Sequence, residues 1–174
     1  EPVLTEVVFS EGKTRSFMCA ALSERKDPTE ELIFATNLIK CVMDYMKDKP
    51  VLSSLHVCRG NWSKDESILL KGPYTPLVPL FEETSPNILA LEFSTPRAGE
   101  LDSLLSSEKI KENSILALGV INPRTDVIET AQSIIDRARE ALKFISKERL
   151  WLNPDCGFAT FSNRPVSTFE IIEK

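Results

Sequence analysis

The chain has 174 residues, of which 42% are hydrophobic and 27% are charged, as expected for one globular domain with its own core. The formal net charge of −5 and the sequence pI of about 5.1 argue against a nucleic-acid-binding surface, which needs a basic face. The longest apolar runs are much shorter than a membrane span, and the first residues do not resemble a signal peptide. We therefore expect a cytoplasmic protein that binds neither membrane nor nucleic acid.

The cysteine content agrees with that location. The four cysteines are Cys19, Cys41, Cys58 and Cys156, and their uneven spacing in a chain of this size does not indicate a disulfide scaffold. We expect reduced thiols, which are available for metal binding or for nucleophilic chemistry.

The first part of the chain predicts a strand, a helix and a second strand. Residues 1–10 resemble the end of a strand. Asp27 and Pro28 then open a helix, because they supply an acidic cap and a proline in the first turn. The next strand follows Pro50 and ends in His56 and Cys58. Apolar residues at helical spacing predict the buried stripe of the helix: Leu32, Ala35, Leu38, Ile39, Val42, Met43 and Met46.

The rest of the chain continues this alternation. The predicted elements are a strand at 87–93, a short helix at 100–105, a strand at 114–121, a helix at 127–145, a strand at 149–152 and a short helix in the polar tail 160–174. Strands that are continuous apolar runs are typical of a parallel sheet covered by helices on both faces. No glycine-rich phosphate-binding motif is present. The sequence predicts an α/β fold in which residues 1–174 form a single domain.

Side chains of metal-binding type fall at the ends of the predicted strands. His56 and Cys58 end one strand, where alternate residues point to the same side; Glu92 ends the next, and Cys156 follows the last. In parallel α/β folds the carboxyl ends of the strands share one functional face, and nitrogen, sulfur and carboxylate oxygen are donors that zinc binds. A second interpretation stays open, in which these side chains bind no metal and are polar only because strand ends meet water.

Several polar residues near these strand ends are candidate substrate contacts. Arg59 and Asn61, beside Cys58, are placed to orient the zinc ligands or a substrate carboxylate. Arg97 follows Glu92 and is a candidate anion contact. Asp155 is either a hydrogen-bond acceptor for a metal ligand or a simple helix cap.

Three stretches carry a resemblance to a known family. They are His56-Val57-Cys58, the strand-terminal Glu92, and Asn153-Pro154-Asp155-Cys156-Gly157. Together they resemble the catalytic domain of the cobalamin-independent methionine synthases, and Glu1-Pro2 resembles the remainder of an Asp-Glu-Pro strand end in that family. The longer forms of these stretches are similar to short, single-domain synthase-like proteins and to zinc alkyltransferases that act on thiols such as coenzyme M.

The resemblance implies a parallel (β/α)₈ TIM-type barrel with a catalytic Zn²⁺ whose ligands map onto His56, Cys58, Glu92 and Cys156. It implies a methyltransferase in which zinc binds homocysteine as a thiolate by lowering the pKa of the thiol. That sulfur takes the methyl group of 5-methyltetrahydrofolate (polyglutamate), giving methionine. We expect Glu92 to yield to the substrate thiol, because it is the hardest of the four donors.

Three other functions remain open. Alkyl transfer to or from another thiol, such as coenzyme M, uses the same metal chemistry. A non-catalytic zinc-binding or scaffold domain would use the four ligands for structure alone. A decarboxylase-like relative of the same barrel is disfavoured, because it has no use for thiolate ligands.

The chain departs from the family at the group that handles the proton of the leaving folate amine. The family has a histidine at the place that falls near Asn122 here, and His56 is the only histidine of this chain. We expect that Arg124 or Asp126 contributes electrostatically, that water supplies the proton, or that the methyl donor differs.

The second departure is length. The family barrel needs roughly 250 residues, and the resemblance begins at a mid-barrel strand, so the chain is expected to cover the C-terminal half. Glu1 would then lie in the substrate pocket. The chain would be a fragment, or a protomer whose barrel is completed by another copy.

Overall fold

The structure is a computed structural model, and it describes residues 27–158 and 168–173. The strand predicted at 1–10, the substrate contact predicted at Glu1, and Cys19 lie outside the described residues. No helix within the described ranges is long and apolar enough to cross a membrane.

A parallel four-stranded sheet forms the centre of the molecule. The strands are β1 (Ser54–Val57), β2 (Ile88–Leu91), β3 (Ile115–Ile121) and β4 (Leu150–Pro154), and they lie side by side in chain order. All three pairings are parallel. The central strands β2 and β3 are largely buried, which explains their continuous apolar sequence. The predicted parallel α/β class is therefore confirmed.

Within the part of the chain that the structure describes, six helices accompany the sheet. They are α1 (Pro28–Met46), α2 (Val78–Thr84), α3 (Asp102–Leu105), α4 (Glu108–Asn113), α5 (Ala131–Ala141) and α6 (Phe169–Ile172). The sequence analysis did not predict α2 or α4. In α2 a proline occupies the first turn, where its missing N–H costs nothing. A proline that suggests a loop in the sequence therefore marks the start of this helix.

Two predicted helices differ in extent or in burial. Helix α5 begins only after Thr130, whose side chain caps it by accepting from the Ser133 N–H at 3.1 Å, so the prediction over 127–145 was too long. Helix α1 begins as predicted, with the Asp27 carboxylate accepting from the first-turn amides. However, Leu38 and Val42 are 54% and 58% exposed, so their predicted burial was wrong. Periodicity identifies a helix face but does not show that another element covers it.

The core lies where α2 to α4 pack against the sheet. Its fully or almost fully buried members include Tyr74, Leu77, Leu80, Phe81, Leu89, Leu91, Phe93, Leu104 and Leu118. Each large apolar side chain contributes about 1.5–3 kcal/mol by leaving water. Because Leu91 and Phe93 flank Glu92, this packing fixes the end of β2.

A register shift between β3 and β4 places the last strand end. Gly119 pairs with Asn153, but the next pair is Ile121 with Pro154. The Asp155 N–H then donates to the Ile121 carbonyl at 2.9 Å. The bulge therefore brings Asp155 close to β3, where a Cβ on Gly119 would lie 2.4 Å from the Asp155 carboxylate.

Candidate metal centre

The four side chains predicted as metal ligands converge at the carboxyl ends of β1, β2 and β4. One donor atom from each of His56, Cys58, Glu92 and Cys156 lies within 4.8 Å of all the others. The Cys156 Sγ is 3.2 Å from His56 Nε2, 3.5 Å from Cys58 Sγ and 3.2 Å from Glu92 Oε1. Tetrahedral zinc with ordinary bond lengths needs donor separations of about 3.3–3.8 Å. The three separations measured from Cys156 Sγ lie within about 0.1 Å of that range, so this part of the donor set fits zinc.

The His56 ring is oriented by the neighbouring strand. His56 lies opposite Ala90 in the β1–β2 register, and its Nδ1 is 2.9 Å from the Ala90 carbonyl oxygen. A carbonyl only accepts, so this contact requires the proton on Nδ1. The lone pair on Nε2 then faces the Cys156 Sγ, 3.2 Å away, as in metal sites whose histidines donate their second N–H.

The two oxygens of Glu92 have different partners. Oε1 faces Cys156 and accepts from the Arg59 backbone N–H at 3.1 Å. Oε2 accepts from Arg97 Nη2 at 2.8 Å. Burial raises the pKa of Glu92, and the positive charge of Arg97 opposes that rise. The arrangement leaves Oε1 as the oxygen available to a metal.

The two thiols share one hydrogen bond and have opposite pKa shifts. The Cys156 thiol donates to Cys58 Sγ, and this bond lowers the pKa of Cys58 to about 4. The same bond, with burial and the charge of Glu92, raises the pKa of Cys156 well above its ordinary value. Hydrogen bonding to Cys58 raises the pKa of His56. The shared bond therefore favours the thiolate at Cys58 and the thiol at Cys156.

Buried ion pairs surround this cluster. Arg97 binds both Glu92 and Glu66, and its side chain is 7% exposed. Arg124 binds Glu66 and Asp155, and neither the arginine nor the aspartate side chain is more than 1% exposed. Burial alone would lower the pKa of Arg124, but Glu92, Glu66 and Asp155 raise it above its ordinary value. Arg124 is therefore cationic at every physiological pH.

The side chains predicted as substrate contacts bind other parts of the protein. Arg59 Nη1 and Nη2 donate to the carbonyls of Arg97 and Gly72, and its guanidinium lies 4.7 Å from the Tyr74 ring centre. Asn61 Nδ2 donates to the Gly157 carbonyl at 2.7 Å. These contacts tie the segment after β1 to its neighbours.

Asp155 and Asp126, both predicted from sequence, have different environments. Asp155 Oδ1 accepts from the N–H groups of Phe93 and Ser94, which directly follow Glu92. Asp126 forms an ion pair with Lys64 at 2.6 Å, and 67% of its side chain is exposed. The structure therefore brings Asp155 into the network around the cluster, whereas Asp126 lies on the surface.

Sequence analysis missed Glu66. It lies in a short 3₁₀ turn, Glu66–Ile68, in the loop after β1, and nothing in its local sequence distinguishes it from a solvated loop glutamate. The one available signal was the presence of two arginines near predicted strand ends, since buried arginines need carboxylate partners.

Comparison with known families identifies the class of protein. Residues 50–169 match the family model described as the cobalamin-independent synthase, catalytic domain. This match covers well over half of the chain. The chain therefore belongs to the cobalamin-independent methionine synthase family.

Individual relatives are similar over most of this chain. YxjH of Bacillus subtilis (strain 168), an uncharacterised protein, is 28% identical over 165 residues, 94% of this chain and 41% of YxjH. The methionine synthase of Pyrococcus horikoshii is 26% identical over 119 residues, 68% of this chain and 30% of that enzyme. The 2-hydroxypropyl-CoM lyase of Xanthobacter autotrophicus is 24% identical over 147 residues, 71% of this chain and 39% of that enzyme.

A solved structure supports the fold. The B12-independent methionine synthase of Shewanella sp. W3-18-1, solved with selenomethionine, superposes with a TM-score of 0.58 at 23% identity, covering 77% of this chain and 38% of that one. The chain thus spans less than half the length of the relatives it matches.

Proposed function

We propose that this chain supplies the metal site of a zinc-dependent S-methyltransferase, which transfers the methyl group of 5-methyltetrahydrofolate (polyglutamate) to homocysteine and yields methionine. The observation that carries the proposal is the convergence of His56, Cys58, Glu92 and Cys156 within 4.8 Å at the strand ends. Family membership and the methionine synthases among the relatives support the substrates.

Zinc is the metal that this donor set suits, because thiolate and imidazole are the ligands that it prefers. When bound, zinc supplies Lewis acidity that lowers the pKa of a coordinated thiol, so that a sulfur nucleophile exists at neutral pH. His56, Cys58, Glu92 and Cys156 would hold it, and Cys156 must lose its proton to do so.

The surrounding charges support this chemistry. Arg97 balances the negative charge of Glu92 and holds one of its oxygens. In our proposal Arg124 takes the electrostatic role foreseen for it, because its raised pKa excludes it as a proton donor. Asp126 is paired with Lys64 on the surface, so we assign it no part in proton transfer. In our proposal four side chains position the site by holding the segments around the cluster: Arg59, Asn61, Arg97 and Asp155. A substrate would touch them only where it lies against those segments.

The complete active site is proposed to need more than residues 1–174. The chain spans 30–41% of the relatives reported above, and we assign it to the C-terminal part of a TIM barrel. The remaining strands, or a second copy, would complete the barrel and the substrate pocket beside Glu1. We assign the protein to the cytosol, because that compartment keeps thiols such as those of Cys58 and Cys156 reduced.

A second candidate is alkyl transfer to or from another thiol such as coenzyme M. The similarity to 2-hydroxypropyl-CoM lyase favours it. The family histidine that would help to decide between these two reactions falls near Asn122 here, and this chain has no histidine at that place.

Metal content is the first test. Purified wild-type protein should contain one zinc per chain by elemental analysis, and Cys156→Ser should lose most of it, whereas Cys41→Ser, at an exposed helix position, should not. Absence of zinc from the wild type, or equal zinc in all three proteins, would refute the proposal.

Substrate choice is the second test. The zinc-loaded chain, assayed alone and with the rest of a family barrel, is offered methyl-folate with homocysteine and, separately, alkylated donors with coenzyme M. Methionine formation supports the leading proposal, and turnover of coenzyme M alone supports the second. If the completed barrel turns over neither thiol, both proposals fail.

A further inference from the structure

We propose that Glu66 is a positioning residue for the metal centre: by holding Arg97 and Arg124 together, it fixes Glu92 so that only Oε1 is directed at the metal. The inference rests on the proposed zinc site and adds a residue that touches neither the metal ligands nor a substrate.

Arg97 links Glu66 to Glu92. Its Nε donates to Glu66 Oε2 at 2.9 Å, and its Nη2 donates to Glu92 Oε2 at 2.8 Å. Its Nη1 donates to the carbonyls of Arg59 and Leu70 at 3.0 and 2.8 Å. A planar guanidinium bound on all three nitrogens has no freedom to rotate. Arg97 therefore holds Oε2 of Glu92 away from the other donors, and Oε1, which lies 3.2 Å from Cys156 Sγ, is the oxygen that faces them.

The other carboxylate oxygen of Glu66 links Arg124 and Asn122. Oε1 accepts from Arg124 Nε at 2.9 Å and from Asn122 Nδ2 at 3.0 Å. Arg124 Nη2 in turn donates to Asp155 Oδ2 at 2.8 Å. Asp155 immediately precedes Cys156, so this arm ends beside a second candidate ligand.

The contacts of Arg124 and those of Arg97 meet at the residues that follow Glu92. Asp155 Oδ1 accepts from the N–H groups of Phe93 and Ser94 at 3.1 and 3.0 Å, and these residues directly follow Glu92. The ion pairs therefore form a ring that joins the loop after β1 to the ends of β2 and β4. Glu66 is the member that both arginines share.

The charge balance shows why a neutral residue cannot replace Glu66. Two buried arginines bind three carboxylates, those of Glu66, Glu92 and Asp155. A glutamine amide has one acceptor oxygen and a donor nitrogen that repels a guanidinium. Glu66→Gln would hold only one arginine, and the other buried arginine would keep a single carboxylate partner, Glu92 or Asp155. Rotation of Arg97 would then release Glu92 Oε2.

The experiment uses the full chain loaded with Co²⁺, whose visible absorption reports ligand geometry, together with zinc affinity measured against a chromophoric chelator. Glu66→Gln and Glu66→Asp are compared with the control Glu82→Gln, because Glu82 accepts a hydrogen bond from Ser107 in a different part of the fold. Aspartate keeps the charge but is too short to reach both arginines, and since 33% of the Glu66 side chain is exposed, both replacements have room.

We expect both Glu66 variants to shift the Co²⁺ bands and to weaken zinc binding about 10–100-fold, the usual effect of losing a group that orients a ligand. The control should match the wild type. Wild-type spectra and affinity in either folded Glu66 variant would overturn the inference while leaving the zinc site intact. A wild-type chain that binds neither metal would overturn the proposed function and this inference together, and loss of folding in Glu66→Asp would show a purely structural role and overturn it as well.

Discussion

The Tyr74 hydroxyl bridges the backbone of Glu92 on both sides, accepting from the Glu92 N–H at 3.0 Å and donating to the Glu92 carbonyl at 3.3 Å. Tyr74 is completely buried, and its burial raises its pKa above the ordinary value, so that the hydroxyl stays protonated. Just after β2, the Tyr74 side chain therefore pairs with backbone groups of Glu92 that would otherwise need a partner in a neighbouring strand.

Removal of that hydroxyl should destabilise the fold. In Tyr74→Phe the buried N–H and C=O of Glu92 lose their partner, which typically costs about 1–3 kcal/mol. Urea unfolding should show a lower midpoint with an unchanged slope. Tyr45→Phe is the control, because Tyr45 is 74% exposed and should change stability very little. Equal stability of the two variants would contradict the role given to Tyr74.

Alkylation of the metal-free protein should reveal the thiolate. Because the pKa of Cys58 is lowered to about 4, Cys58 is already ionised at pH 6, and its rate of modification by iodoacetamide should stay nearly constant from pH 6 to pH 8. The raised pKa of Cys156 predicts slow modification over the same range. Peptide mass spectrometry separates the two sites, and added zinc should protect both. A rate at Cys58 that rises about tenfold per pH unit, as for an ordinary thiol, would refute the lowered pKa.

A methyl group at Gly119 should disturb the strand end that carries Cys156. The new Cβ would lie 2.4 Å from Asp155 Oδ1 and 2.7 Å from the Leu91 carbonyl oxygen, and backbone cannot yield cheaply. Gly119→Ala should lose about 1–3 kcal/mol of stability and bind zinc more weakly. Gly157→Ala is the matched control, because a Cβ there meets nothing within 4 Å. A stable Gly119→Ala with normal zinc affinity would show that Asp155 can move without consequence.

Metal removal should lower thermal stability. A ligand that binds only the folded state stabilises it by about 4 kcal/mol at a concentration 1,000 times its Kd. The melting temperature of the zinc-loaded chain should therefore fall after treatment with a chelator and recover when zinc is restored. Cys156→Ser should show little response to either treatment, whereas Cys41→Ser should behave as wild type. An identical melting temperature with and without chelator would contradict zinc binding in the folded state.

The sequence predicted the strands, the start of α1 and the grouping of the candidate ligands, but it did not predict which surfaces are covered or how the loops run. Asp27 could be recognised as a cap because capping depends on neighbouring residues, and the four candidate ligands could be grouped because parallel strands end at one edge. The exposure of Leu38 could not be predicted, because it depends on which element packs against α1. The partners of Glu66 depend on the path of a loop, and a single sequence does not encode that path in any readable pattern.

The contact between His56 and the Ala90 carbonyl oxygen makes the orientation of this imidazole robust to mutation. Where a carboxylate side chain orients a metal-binding histidine, a single substitution can remove it. Here the acceptor belongs to the main chain and is set by the pairing of β1 with β2, so every amino acid at position 90 supplies it. Substitutions at Ala90 that fit the space around it should therefore leave the direction of Nε2 unchanged, and evolution can vary that position without losing the geometry of the histidine.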